Sequence, residues 1–203
     1  MPEVRELGIG DLPPAVDITA HAMRDNPLIV AALGRDCRAR WAGVQRLFTI
    51  ALPAILHKGV LVGAFDGPML EGVAGLLPPG FCQPSTFEKI AVFPRLAIAI
   101  GVDGLIRVSQ WLSTWNVHDS GTPHWHLGPV AVQAQLQGHG VGHALIGECC
   151  RRLDRRGSIG YLETDKPENV QFYQEFGFQV TGKATVLGRP NWFMHRYGAR
   201  IRA

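Results

Sequence analysis

Between Gln137 and Gly142 the chain reads Gln-Gly-His-Gly-Val-Gly, and an apolar pattern of helical period follows at once. Glycines at alternate positions remove the Cβ atoms that would hold a ligand away from the backbone, and the amides of the turn converge on the positive end of the next helix. Such a turn cradles an anion, most naturally a pyrophosphate. Spacing then sorts the nucleotide-type sites that could use it. A P-loop needs Gly-Lys-Ser/Thr after the glycines, which this turn lacks. The dinucleotide fingerprint needs a third glycine where His143 stands, although Glu163, at the end of the next predicted strand, imitates its ribose-binding acid. The turn also comes late, leaving too little sequence after Glu163 for a doubly wound sheet and a substrate domain.

Other residues could move protons. His124 and His126 alternate along the strand before the cradle and so share a face, which by the same alternation includes Gly128 and Val130. Glu163 closes the neighbouring strand. Two histidines at strand spacing, with no third ligand nearby in sequence, do not make a metal site, and none is expected. Four cysteines, Cys37, Cys82, Cys149 and Cys150, show no C-x-x-C spacing and suggest neither zinc nor a disulfide framework, which fits a reducing cytosol. Asp154 and Asp165 read as surface or capping residues.

The elements that must position these groups follow from period and punctuation. Val4 to Gly8 reads as a strand, and Asp11 as the cap of a helix that begins with Pro13 and Pro14. Arg38 to His57 has helical periodicity, with Gly59 in the place of a C-cap. Val60 to Phe65 and Met69 to Leu77 form a hairpin about Asp66, Gly67 and Pro68. Pro84 to Val117 is a helical insertion, opened by a capping box of Ser85 and Glu88, broken near Pro94, and carrying Trp111 and Trp115 at helical spacing. Then come a strand (Trp125 to Val132), a helix (Gly140 to Arg156), a strand (Ile159 to Glu163), a helix (Glu168 to Phe176) and two strands (Phe178 to Leu187, Trp192 to Tyr197). With 203 residues, 46% of them hydrophobic and 18% charged, the composition predicts one packed domain over residues 1–203. A net charge of +3 is too weak for a nucleic-acid footprint, and the doublets Arg151, Arg152, Arg155 and Arg156 suit the last turn of a helix. No apolar run is long enough for a membrane span, and Met1 to Gly10 lacks the basic-then-apolar pattern of a secretory leader, so a cytoplasmic setting is expected.

Gly-Pro-Val-Ala-Val at 128–132, the cradle at 137–142, and Asn169, Phe172, Tyr173, Gly177 and Phe178 together resemble the acetyl-CoA signature of the GNAT superfamily of N-acetyltransferases. The resemblance covers about the last 80 residues, a core of about 124–197; the insertion at about 84–118 is longer than the usual connection, and Ala134 stands near where the family often has proline. It implies an α/β fold, a mixed and mostly antiparallel sheet of about seven strands flanked by helices and splayed at Val130. It implies that Gln137, Gly138, His139, Gly140, Val141, Gly142 and His143 hold the pyrophosphate of acetyl-CoA, that the main chain of Val130, Ala131 and Val132 pairs with the pantetheine arm, and that Asn169 contacts that arm. Tyr173 is similar in position to a residue facing the thioester sulfur, where a phenol can protonate a departing thiolate of pKa about 8.5. The acceptor is then an amine, by default on a small molecule. An amine of pKa about 10.4 must lose a proton to attack, at a cost of about 4–5 kcal/mol at pH 7 if nothing assists, so a base is useful. His126 and Glu163 are the candidates. His21, Asp25, Trp111, Trp115 and His118 are candidates for the acceptor pocket, and pairing of the last strands of two copies would make a homodimer. Two readings from other classes stand beside the enzyme: an acyl-CoA-binding sensor without turnover, and a small nucleotide-dependent oxidoreductase.

Overall fold

The computed structural model of the chain describes residues 2–82, 86–119 and 121–198. Its strands are β1 (Glu3–Glu6), β2 (Val60–Asp66), β3 (Met69–Leu77), β4 (Trp125–Val132), β5 (Gly160–Thr164), β6 (Gln179–Val186) and β7 (Arg189–Arg196). They form one open sheet in the order β1-β2-β3-β4-β5-β7-β6, antiparallel throughout except for the parallel β4–β5 pair. The helices are α1 (Leu12–Met23), α2 (Pro27–Leu33), α3 (Cys37–Lys58), α4 (Thr86–His118), α5 (Val141–Arg155) and α6 (Pro167–Gln174). The expected seven strands and their mixed order are present. No helix among the described residues is long and apolar enough to cross a membrane.

Two apolar clusters cover the two faces of the sheet. On one, α1, α2 and α3 pack Val16, Ile29, Val44, Phe48 and Leu52 onto Leu61, Phe65, Val73 and Ala131. On the other, α5 packs Val141, Leu145, Ile146, Cys149 and Leu153 onto Val62, Ala74, Leu127, Leu162 and Met194, with Tyr173 and Phe178 closing its edge. The arginines near the end of α5 have partners within the chain: Arg151, Arg152 and Arg155 pair with Glu148, Arg152 also with Glu6, and Arg156 lies over the ring of Trp125.

Several local expectations change. Asp11 does not cap α1; its carboxylate turns back to accept from the Gly8 amide at 2.8 Å and pairs with Arg5, because the chain passes through a short 3-10 turn first. Helix α2 is too short to show a helical period in the sequence, although Asn26-Pro27 carries its start signal: the Asn26 side chain accepts from the amides of Leu28 and Ile29, and proline takes the first helical position, where no amide donor is needed. Helix α4 runs through Pro94 and breaks instead at Gly101, whose φ of 74° no helix tolerates; a proline removes one hydrogen bond, whereas a left-handed residue redirects the chain. Ser85 lies outside the described residues, and Glu88 pairs with Lys58.

Gly59 does end α3, but with φ at −141° rather than in the left-handed cap geometry. Its requirement is close approach: a Cβ there would stand 2.1 Å from the Leu76 carbonyl oxygen. Gly59→Ala should therefore destabilise the fold by about 1–3 kcal/mol or more, as overpacking against a fixed backbone does. Gly10→Ala, where an added Cβ meets no atom within 4 Å, is the control. Urea midpoints should separate the two, and equal midpoints would mean that the helix–strand junction relaxes freely.

Candidate active site

Strands β4 and β5 are paired only at Trp125 with Gly160 and at His126 with Tyr161. Beyond that point they diverge, and the edge of β4 facing β5 has no strand partner, while its other edge stays paired to β3 as far as Val132 with Gly72. The β3–β4 ladder contains a bulge: Ala74 faces Val130 and Leu76 faces Leu127, so Gly128 and Pro129 together stand opposite Gly75. One extra residue reverses the alternation. Leu127 and Val130 thus both point into the cluster under α5, and Ala131 into the other. The expectation that His126 shares a face with Val130 fails for this reason, because strict period-two reading cannot see a bulge.

The cradle sits at the mouth of this fork. After Val132 the chain makes a 3-10 turn (Ala134–Leu136) and reaches Gly138 and Gly140, at φ 80° and 86°. An added Cβ at either glycine would meet no atom within 4 Å, so backbone conformation demands glycine there and open space lies in front of it. Gly140 is the N-cap of α5, no side chain caps the helix, and its first turn has no acid. The opening amides of α5 therefore have no intrahelical acceptor and present partial positive charge to an anion. Val132 and Phe172 flank Gly142. His143 bonds Glu175 at 3.0 Å and rests on Phe172 and Phe176, joining α5 to α6, whereas Gln137 and His139 are exposed on the turn. A cavity of about 480 Å³ on the hairpin side of the turn is lined by Glu3, Asp66 and Glu71, whose charges disfavour a phosphate there.

On the face away from α5, the structure brings two of the expected residues together. His126 Nε2 lies 2.7 Å from Glu163 Oε2, and both side chains are largely buried. With Nε2–H donating to the carboxylate, a neutral ring leaves its lone pair on Nδ1, which is buried and has no hydrogen-bond partner. Burial alone would lower the His126 pKa; the charge and hydrogen bond of Glu163, with Asp119 further off, reverse this and leave it raised. Tyr161 packs against His124, His126 and His195. Tyr173 lies on the opposite side of the sheet, buried on α6 between Phe172 and Phe178. Burial, and secondarily Cys149, pushes its phenol pKa above the ordinary value, so the group keeps its proton. Asn169 is half-buried in the first turn of the same helix.

The pocket candidates divide. Trp111 and Trp115 meet edge to face at 5.1 Å, Trp115 Nε1 donates to Asn191 at 3.1 Å, and His118 stacks on Phe193 at 4.6 Å, so this end of α4 roofs the β5–β7 side of the fork. His21 instead packs on Trp41, and Asp25 is bound to Arg24 and Arg40. Asp154 makes a two-pronged ion pair with Arg196. Asp165 is buried and accepts from the Leu28 amide at 2.8 Å and from Asn26, capping α2 from 137 residues away. No spacing rule reveals a cap supplied across the fold.

Residues 102–178 match the model of the acetyltransferase (GNAT) family. Among solved structures, the fold is similar to that of a histone acetyltransferase HPA2 and related acetyltransferase from Corynebacterium glutamicum, at 22% identity and a TM-score of 0.76 over 100% of this chain and 99% of that one. A polyamine N-acetyltransferase of Drosophila melanogaster aligns with a TM-score of 0.68 at 13% identity, over 97% of this chain and 100% of its own. A GNAT-family acetyltransferase from Brucella melitensis, solved with acetyl-CoA, gives 0.53 at 16% identity over 97% and 88%. At these identities the likeness is one of fold.

The His126–Glu163 contact generates a prediction that needs no substrate. Removing either partner leaves a buried polar or charged group unsatisfied, so His126→Ala and Glu163→Ala should each destabilise strongly while the double variant costs less than their sum. The coupling expected for such a pair is about 1–3 kcal/mol, read from a double-mutant cycle of urea unfolding. Additive losses would show that the two side chains do not interact.

Proposed function

We propose that this chain, a member of the GNAT acetyltransferase family, transfers an acetyl group from acetyl-CoA to a primary amine of a small molecule by direct attack in a ternary complex. The observation that carries the reading is the forked β4–β5 edge with an uncapped, glycine-lined helix N-terminus at its mouth. The two parts fit the two ends of one cosubstrate. Amides of Gly138 to Gly142 would hold the pyrophosphate, with Gln137, His139 and His143 around them, and the main-chain edge of Val130, Ala131 and Val132, which has no strand partner, would take the amide-bearing arm as an added strand. Asn169 would bond the same arm from α6. When bound, acetyl-CoA supplies the acyl group and a thiolate leaving group. The Brucella melitensis protein of similar fold holds that molecule, which supports the assignment.

The fork also lets the two faces of the sheet communicate. His126 stands at its apex, so Nδ1, with Glu163 orienting the ring, would take a proton from the incoming ammonium on one face. A main-chain amide near Val132 would donate to the acetyl oxygen. Tyr173, on the other face, would give its proton to the sulfur. The raised phenol pKa suits a donor: the group stays protonated well past the ordinary value of about 10. No cysteine is required as nucleophile, and burial pushes the thiols of Cys149 and Cys150 upward. Aromatic rings from α4 over the fork favour a small cationic amine, and a polyamine enzyme is among the similar folds. Four free thiols, one of them exposed, support a cytoplasmic setting.

Calorimetric titration tests the first half of this reading. Acetyl-CoA should bind and NADH should not, and Gly140→Asp, which sets a carboxylate in the cradle, should abolish binding; retained binding in the variant, or a preference for NADH, would overturn the site. Release of free coenzyme A thiol across a panel of amines tests the second half. Tyr173→Phe should lower kcat by about 10²- to 10⁴-fold, the range for a lost acid–base group, with acetyl-CoA affinity nearly unchanged. Because the phenol titrates late, kcat should show no descending limb assignable to it below pH of about 10.

A further inference from the structure

Beyond the fork, three potential metal ligands from separate parts of the chain converge beside the start of β4. Cys82 follows β3, Asp119 follows α4, and His124 immediately precedes β4. One donor atom from each lies within 4.8 Å of the other two. Cys82 Sγ is 3.3 Å from His124 Nε2, and Asp119 Oδ1 is 3.5 Å from the same nitrogen. Zinc–sulfur, zinc–nitrogen and zinc–oxygen bonds of about 2.3, 2.05 and 2.1 Å in tetrahedral geometry separate sulfur from nitrogen by about 3.6 Å and nitrogen from oxygen by about 3.4 Å. The observed edges match those lengths to within a few tenths of an ångström.

Hydrogen bonding around the cluster is consistent with the same occupant. His124 Nδ1 is 2.8 Å from the Thr122 carbonyl and donates to it, and Nε2, the nitrogen that would bind a metal, faces Cys82 and Asp119. Asp119 Oδ1 is buried, has no hydrogen-bond partner and stands 3.5 Å from the same nitrogen. A cation held by the three donor atoms would satisfy it. His124 itself is 4% exposed, while the opposite side of the cluster opens into a cavity of about 610 Å³ lined also by Pro79, Asn116 and Thr122, room for a fourth ligand. His126, two residues along, takes no part because its Nε2 is engaged by Glu163.

We infer that Cys82 Sγ, His124 Nε2 and an Asp119 carboxylate oxygen bind one divalent transition-metal ion of the zinc class, with the fourth position open to the cavity. On binding, the Cys82 thiol gives up its proton to solvent and the thiolate takes the metal. The ion would fasten the end of α4 and the segment after β3 to β4.

Cobalt(II) titration of the chelator-stripped protein tests this without any reference to turnover. A Cys37→Ser background removes the exposed competing thiol. One equivalent should bind with a thiolate-to-cobalt charge-transfer band and the intense visible bands of tetrahedral cobalt, zinc should bleach both, and the melting temperature should rise. Cys82→Ser should lose the charge-transfer band, and His124→Gln and Asp119→Asn should each weaken binding by at least about 100-fold, beyond the 10- to 100-fold usual for an outer-shell partner. Acetyl-CoA binding by Cys82→Ser shows that the variant is folded and separates this outcome from the acetyltransferase reading; if that variant does not fold, Asp119→Asn carries the test. The absence of a charge-transfer band in the parent protein, its persistence in Cys82→Ser, or its dependence on Cys37 would overturn the assignment.

Discussion

Two residue pairs, Trp125 with Gly160 and His126 with Tyr161, make up the whole β4–β5 ladder, and the rest of the site depends on how soon that ladder stops. A parallel pair in the middle of a sheet normally has its main-chain groups satisfied along its length, because unpaired buried amides and carbonyls are costly. Here β4 goes on for six residues beyond its last partner on β5, held from its other side by β3 as far as Val132. The unused edge is a strand-shaped surface with hydrogen-bonding groups already aligned. The bulge at Gly128 and Pro129 then decides which side chains meet which face.

The divergence is sustained from both sides. Beneath it, α5 buries an apolar face of Val141, Leu145, Ile146, Cys149 and Leu153, which fixes the helix axis and so aims its uncapped N-terminus along the mouth of the fork. Above it, α4 crosses toward β7 and is tied there by Trp115 to Asn191 and by His118 on Phe193. Short helix α2 is fastened to the end of β5 by Asp165, so the strand that turns away from β4 is itself anchored to the helical layer. Arg40 plays a similar part: nearly buried, it donates to the carbonyls of Arg24, Gly34 and Arg35 and pairs with Asp25, satisfying the chain ends around α2.

Electrostatics divides the site in the same way. The positive pole of α5 and the open glycine turn favour an anion at the mouth. Deeper in, on the opposite face, His126, Glu163, Tyr161, Asp119 and His124 form a largely buried group of titratable side chains, in which the charges of Glu163 and Asp119 bear on His126 and Tyr161. Tyr173 lies outside that group, in apolar surroundings that keep it neutral. The two groups of titratable side chains thus lie in different environments on different faces of the sheet, which on the proposed reading separates proton acceptor from proton donor.

Period and punctuation alone determined most of the elements: the hairpin about Gly67, the strand from Trp125 to Val132, the glycine turn after it, and the helix–strand–helix run that follows all appear at nearly the expected bounds. They were legible because each rests on local chemistry, such as glycine at positive φ, apolar alternation or a helical stripe. Where local signals compete they mislead: Asp11 faces a 3-10 turn, Asn26-Pro27 opens a helix too short to show a period, and the break expected near Pro94 falls at Gly101. Tertiary structure decided the rest. Sequence could place His126 and Glu163 at the ends of neighbouring strands, but only strand order and register put them 2.7 Å apart, and only the bulge sets His126 and Val130 on opposite faces. The meeting of Cys82, Asp119 and His124, and the capping of α2 by Asp165, join residues 42 and 137 positions apart in the chain. Contacts of that kind carry no periodic or local signature, because they are set by how the packed layers cross rather than by the conformational preferences of the residues that make them.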